Sequence, residues 1–232
     1  MAIEIGSYFL GRPQPALTAD QTQIVLRFHD LYYKRWQLGA DTINLSWFGY
    51  RIQKCPQDLW MYQELLVKTR PDFIVETGTA DGGSALYLAM IADMIGHGKV
   101  ITIDIEHRGP LPPHERVTYL KGSSTDTAVV TTVKERVRNG RVMVILDSDH
   151  TANHVYEELA TYAPLVHPGG YLIVEDTNIN GHPTFPEFGP GPMEAVDRFL
   201  AERGESFLVD EACERFMMTL HPKGYLRRKE QS

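Results

Sequence analysis

Cysteine is nearly absent: Cys55 and Cys213 are the only two among 232 residues. They are far apart and in no paired spacing, which excludes a disulfide framework and a thiolate metal site and reads both as small apolar residues. No apolar run reaches the ~18 residues that suggest a membrane span. The first residues, Met1-Ala-Ile-Glu-Ile-Gly6, lack the basic start and apolar stretch of a secretion signal. A cytoplasmic protein with no membrane partner is therefore expected. Lys and Arg form no clustered stripe and the formal charge is -7, so nucleic acid is a poor partner as well. Internal repeats and low-complexity tracts are also missing. With 43% hydrophobic and 23% charged residues, the chain is long enough for one full core and short for two.

What is present is an alternation. Short β-rich runs at 73–77, 100–104, 117–120, 142–147 and 171–175 are separated by helical stretches at 83–95, 127–138 and 153–165. All but the third run are almost continuously hydrophobic, as parallel strands covered on both faces are. The repeated strand–helix–strand pattern predicts a doubly wound, Rossmann-like α/β sheet. A helix at 193–203 follows, and then runs at 206–209 and 215–220 close enough together to form an antiparallel hairpin. Residues 1–70 hold two helical stretches, 19–37 and 57–69, around the aromatic segment Leu45-Ser-Trp-Phe-Gly-Tyr50. They read as an N-terminal helical cap on a single globular unit spanning 71–232. The Gly/Pro-rich segment 178–192 begins where the fifth strand ends, and so long a structureless loop suits a lid. Phe185 and Phe188 in it, and Trp47, Phe48 and Tyr50 in the cap, offer flat surface for an acceptor ring.

The first strand runs into Glu76-Thr-Gly-Thr-Ala-Asp-Gly-Gly-Ser84, a glycine-rich turn opening a helix. Gly78 permits a tight turn and close approach of a ligand, and Gly82 and Gly83 let the chain enter the helix beside it. Glu76 stands at the strand end, where a carboxylate suits the ammonium of an amino-acid ligand. Asp104 ends the second strand, the position at which this fold places an acid on ribose hydroxyls. The loop Gly122-Ser-Ser-Thr-Asp126 follows the third strand, where an adenine contact belongs. The candidate nucleoside contacts are thus Glu76, Gly78, Thr79, Gly82, Ser84, Asp104, Ser123 and Ser124, with Asp147 at the next strand end. A nicotinamide-dependent oxidoreductase would also tolerate this turn.

The fourth strand ends in Leu146-Asp-Ser-Asp-His150 and the fifth in Val174-Glu-Asp-Thr-Asn178. As neighbours in a doubly wound sheet, these ends lie about 5 Å apart. Asp147, Asp149, Glu175 and Asp176 therefore converge, an arrangement that like charges make costly unless a cation neutralises them. Oxygen donors favour Mg, Ca or Mn over zinc. The acids would otherwise cap helices or pair with Arg and Lys of the cap.

These motifs, with Lys54-x-Pro56 and Tyr62-Gln-Glu64, resemble the cephalosporin hydroxylase family, which includes the cephem 7-methoxylating subunit and rhamnosyl O-methyltransferases. The resemblance implies a class I methyltransferase fold, S-adenosyl-L-methionine as cofactor, Mg2+ held by an Asp and an acidic pair, and homo-oligomers. Carried over by position, Glu175 and Asp176 are the acidic pair. The first metal ligand is Asp147 or Asp149, with Asp147 favoured. The remaining Asp149, or His150, is the catalytic base. The implied reaction is methyl transfer to the hydroxyl of a small molecule such as a deoxysugar in a glycoside or a β-lactam-like compound; a non-catalytic cofactor-binding partner of another enzyme is the alternative. Oxygenase chemistry is disfavoured, because none of the nine histidines is followed two positions later by Asp or Glu.

Overall fold

The computed structural model describes residues 16–36 and 45–230. Helix α1 (Ala19–Trp36) comes first. A two-stranded antiparallel ribbon, β1 (Ser46–Trp47) and β2 (Tyr50–Arg51), leads to α2 (Pro56–Thr69). The sheet and its crossovers follow as β3 (Phe73–Thr77), α3 (Gly83–Ile95), β4 (Lys99–Asp104), β5 (Val117–Lys121), α4 (Thr127–Arg136), β6 (Val142–Leu146), α5 (Ala152–Tyr162) and β7 (Tyr171–Val174). The chain closes with α6 (Pro192–Arg203), β8 (Phe207–Val209) and β9 (Tyr225–Arg228). Strand order is β5-β4-β3-β6-β7-β9-β8. The first five of these strands are parallel, and β9 runs antiparallel to both β7 and β8. This is the doubly wound sheet expected from the alternation.

Why the central strands are hydrophobic throughout follows from their side-chain alternation. Val75, Val144, Leu146, Leu172 and Val174 point into one core layer with Val155, Leu159 and Phe199 of α5 and α6. Their neighbours Ile74, Met143, Ile145, Tyr171 and Ile173 enter the opposite layer with Tyr62, Leu65 and Leu66 of α2 and Leu88 of α3. A strand buried on both faces has no polar position to alternate with. A third cluster ties α1 to the loop after β7, with Tyr33, Cys55, Ile179, Met218 and Leu220 buried together and Phe185 packed against them.

Two expectations need correction. The second strand of the C-terminal pair is β9 and not 215–220. The latter segment turns at Met217, whose φ is 67°, and its apolar Met218 and Leu220 are buried in the third cluster. The segment 178–192 is also not structureless. Thr184 N donates to Asn178 O at 3.1 Å, Gly181 N to Thr184 O at 2.8 Å and Asn180 N to Phe185 O at 3.1 Å. The loop is pinned outward too, by Asn178 on His29 at 2.9 Å and by Asn180 and His182 on Glu194, each at 2.9 Å. Among the described residues no helix is long and apolar enough to cross a membrane.

Candidate active site

Strand order reverses at β3, which lies between β4 and β6, and ligands of doubly wound sheets bind at such a switch point. A cleft of about 680 Å³ opens there, outside the ends of β3, β4, β5 and β6. Gly78, Thr79, Ser84, Asp104, Ser123, Ser124, Asp147, Asp149, His150 and Asp176 line it. Glu76, Gly82 and Glu175 lie behind this wall. The acceptor aromatics expected in the cap and loop are not in the lining either; Trp47 packs edge-on against Tyr87 at 4.9 Å, and Phe48 is exposed.

The turn after β3 is pressed against backbone at Gly78 and Gly83. At Gly78, where φ is 86°, an added Cβ would sit 1.8 Å from the carbonyl oxygen of Asp147. At Gly83 it would sit 2.2 Å from the carbonyl of Arg51, so the helix start touches the β1–β2 ribbon. Asp104 holds the turn by accepting from Ala80 N at 2.8 Å and Glu106 N at 3.2 Å. Behind it, fully buried Glu76 accepts from Thr102 Oγ1 at 2.7 Å, and Thr102 meets Thr79 at 2.8 Å. Its other oxygen, Oε1, is buried without a hydrogen-bond partner. Burial raises its pKa, opposed by Lys54 and by the Ser84 and Thr102 hydroxyls. At the far end, Ser124 reaches His154 at 3.1 Å, and exposed Ile105 offers an apolar face to the cleft.

Register explains the acidic end. Leu146 pairs with Val174, so Asp147 and Glu175 leave their strands at one level. Asp147, Asp176 and His150 each offer an atom within 4.8 Å of the others. His150 bridges the carboxylates, Nδ1 lying 3.1 Å from Asp176 and Nε2 3.5 Å from Asp147. Burial pulls His150 down, but Asp176 and Asp147 outweigh it and hold the imidazolium well above its ordinary range. Asp149 is exposed and accepts from Thr151 N at 2.8 Å at the start of α5, which leaves His150 the nearer group to the cluster.

The cluster already carries a countercharge, and it is a lysine of the cap, the pairing given above as the alternative to a bound cation. Lys54, 3% exposed, donates to Asp147 and, at 2.6 Å, to Glu175 Oε1. Burial works against its charge, yet Asp147, Glu175 and Glu76 keep the ammonium above its usual pKa. Asp147 is held below the carboxylate range: burial alone would raise it, and Lys54 and His150 prevail. Glu175 is pushed up by burial and by Asp147. Its Oε1 also accepts from Tyr62 at 2.6 Å, so that oxygen is engaged by Lys54 and Tyr62 together.

Beneath lies a polar network whose connections the sequence does not reveal. His221 Nδ1 accepts from Asp176 N at 3.1 Å, which places the neutral ring's proton on Nε2, 3.1 Å from Tyr62 Oη. Asp58 accepts from Thr219 at 2.5 Å, Leu220 N at 3.0 Å and Tyr225 at 2.8 Å. Lys54 and Tyr62 belong to motifs that mark the family resemblance; His221 and Asp58 carry no local signal.

The family model of Rhamnosyl O-methyltransferase/CmcI matches residues 41–229. A rhamnosyl O-methyltransferase of Mycobacterium tuberculosis (H37Rv) is 40% identical over 209 residues, 84% of this chain and 83% of that protein. Among solved structures, a CmcI apo-structure superposes with a TM-score of 0.64 at 22% identity, covering 95% of this chain and 88% of the other. CmcI with Mg and SAM gives 0.62 at 24%, covering 94% and 87%. The structural likenesses, at this identity, speak for the fold.

Proposed function

Because the chain belongs to the Rhamnosyl O-methyltransferase/CmcI family, we propose that it methylates a hydroxyl of a glycosidic deoxysugar or comparable small molecule, with a divalent cation at the acidic end of the cleft. The family makes it an S-adenosylmethionine-dependent O-methyltransferase acting on a small molecule; acceptor and metal are the proposed part. One observation carries the reading: a single cleft joins the Gly78 turn and Asp104 at one end to Asp147, His150 and Asp176 at the other.

The residues fit both groups. Gly78 and Gly83 let the turn close against the carbonyls of Asp147 and Arg51 at the cleft wall, Asp104 is set for ribose hydroxyls, and Glu76 keeps an unshared buried oxygen behind the turn. Carboxylate oxygens of Asp147 and Asp176 suit Mg2+ or Mn2+, with Glu175 the third ligand if it turns from Lys54. S-Adenosylmethionine supplies an already activated methyl group, and a divalent cation supplies Lewis acidity toward the acceptor oxygen. The protein's part is to hold donor and acceptor together in the one cleft. With Asp147 and Asp176 engaged by a cation, His150 is the group left beside the acceptor to take its proton, at Nε2; Asp149 is positioned by the start of α5 instead. A CmcI structure is of the protein with Mg and SAM, which supports this pairing of cofactors.

The test is transfer of labelled methyl from S-adenosylmethionine to rhamnosides and other hydroxylated glycosides, before and after exhaustive chelation. Mg2+-restored transfer is expected. Full transfer without any divalent ion would remove the metal from the proposal, and transfer to none of the glycosides would remove the acceptor class.

A further inference from the structure

Lys54 stands as a cation inside a site read as cation-binding. Its ammonium already links Asp147 to Glu175, and a divalent ion cannot share those oxygens without facing a unit positive charge a few ångströms away. The backbone offers the lysine no retreat, since Ile52 and Cys55 on either side are buried. The side chain, with four rotatable bonds, does have another destination. Glu76 is fully buried, keeps Oε1 without a partner, and ranks with Asp147 and Glu175 among the anions acting on Lys54. A buried carboxylate oxygen left unpaired is costly unless something comes to meet it.

We propose that Lys54 is the resident counter-ion of the acidic cluster and a mobile one: it holds Asp147 and Glu175 while the metal is away and passes to Oε1 of Glu76 when the metal arrives. This rests on the metal-dependent reading above and adds an exchange to it. Glu175 is released for the ion by the same movement. Glu76 lies behind the cofactor turn, so the exchange ties the charge state of the metal end to the back wall of the nucleoside end.

The experiment measures Mn2+ affinity of the cofactor-free protein by calorimetry and by electron paramagnetic resonance, for wild type, Lys54→Met and Glu76→Gln. Lys54→Met is expected to bind Mn2+ roughly tenfold more tightly or better, the scale for removing a nearby competing charge. Glu76→Gln is expected to bind severalfold more weakly, because the ammonium loses its second anion. Mn2+ affinity in Lys54→Met equal to or below wild type would overturn the exchange while leaving the metal site standing; no binding in either protein would overturn both. Should Lys54→Met fail to fold, the side-chain 15N resonance of Lys54 in wild type answers the question. It is expected to shift on Mg2+ titration, and a resonance unmoved while Mg2+ binds would refute the proposal.

Discussion

Replacing His221 by Leu keeps a buried apolar volume but takes from Asp176 N the acceptor it has at 3.1 Å. An unsatisfied buried N–H costs about 1–3 kcal/mol. Asp176 also sits in the left-handed region, with φ at 52°, a conformation that costs roughly 1–2 kcal/mol for a residue with a side chain and that this hydrogen bond helps to hold. Asp58 loses little, since three other donors serve it, and Tyr62 keeps Glu175. The expected loss for His221→Leu is therefore about 2–3 kcal/mol, or a melting temperature lower by roughly 4–12 °C for a chain of this size. His221→Asn puts an amide oxygen near the place of Nδ1 and should recover about half. His221→Gln reaches toward Tyr62 instead and should recover little. Urea unfolding of the three variants reads the order. An Asn variant no better than Leu, or a Leu variant within about 0.5 kcal/mol of wild type, a surface-substitution scale, would refute the assignment of His221 as the support of Asp176.

Asp104→Ala removes the acceptor of Ala80 N and the candidate ribose ligand together, and should weaken S-adenosylhomocysteine binding about 10- to 100-fold, as lost charged hydrogen bonds do, with Mn2+ affinity unchanged; calorimetry measures both. Gly83→Ala places a methyl 2.2 Å from the Arg51 carbonyl and should destabilise by about 1–3 kcal/mol, the usual scale for overpacking, measured by urea unfolding. Glu194 is raised by burial but brought down to about 2 by His182, Gly191 N and Asn180, against an ordinary value of 4.5. Its contribution is therefore present above pH 4.5 and lost as pH falls toward 2. Peptic cleavage within 178–191 should rise across that window in wild type and less steeply in Glu194→Gln, whose amide does not titrate; equal profiles would dismiss the anchor.

Much of the fold was legible because its signals are local. Continuous hydrophobic runs at 73–77 and 142–146 leave no choice but burial on both faces, and the glycine turn follows from chain geometry alone. Strand β9 was not, since Tyr-Leu-Arg-Arg owes its place to pairing with β7, whereas Met218 and Leu220 mimic a strand by being buried in a loop. At the site, the convergence of Asp147 with Asp176 could be read from neighbouring strand ends. The countercharge could not, because Lys54 lies 93 residues from Asp147 and 121 from Glu175 along the chain. The family resemblance singles out Lys54, but which acids it meets depends on how the cap folds.

Gly78 and Asp147 meet as backbone against backbone, so the two halves of the cleft, glycine turn and acidic end, share a wall. Neither half can be remodelled from the sheet side without moving the other. Changes in the shape of the cleft therefore have their freedom in lining side chains away from that contact, Gln53 and His154 among them. A library aimed at new acceptors for the proposed reaction belongs on such lining positions and not on the backbone contact between Gly78 and Asp147.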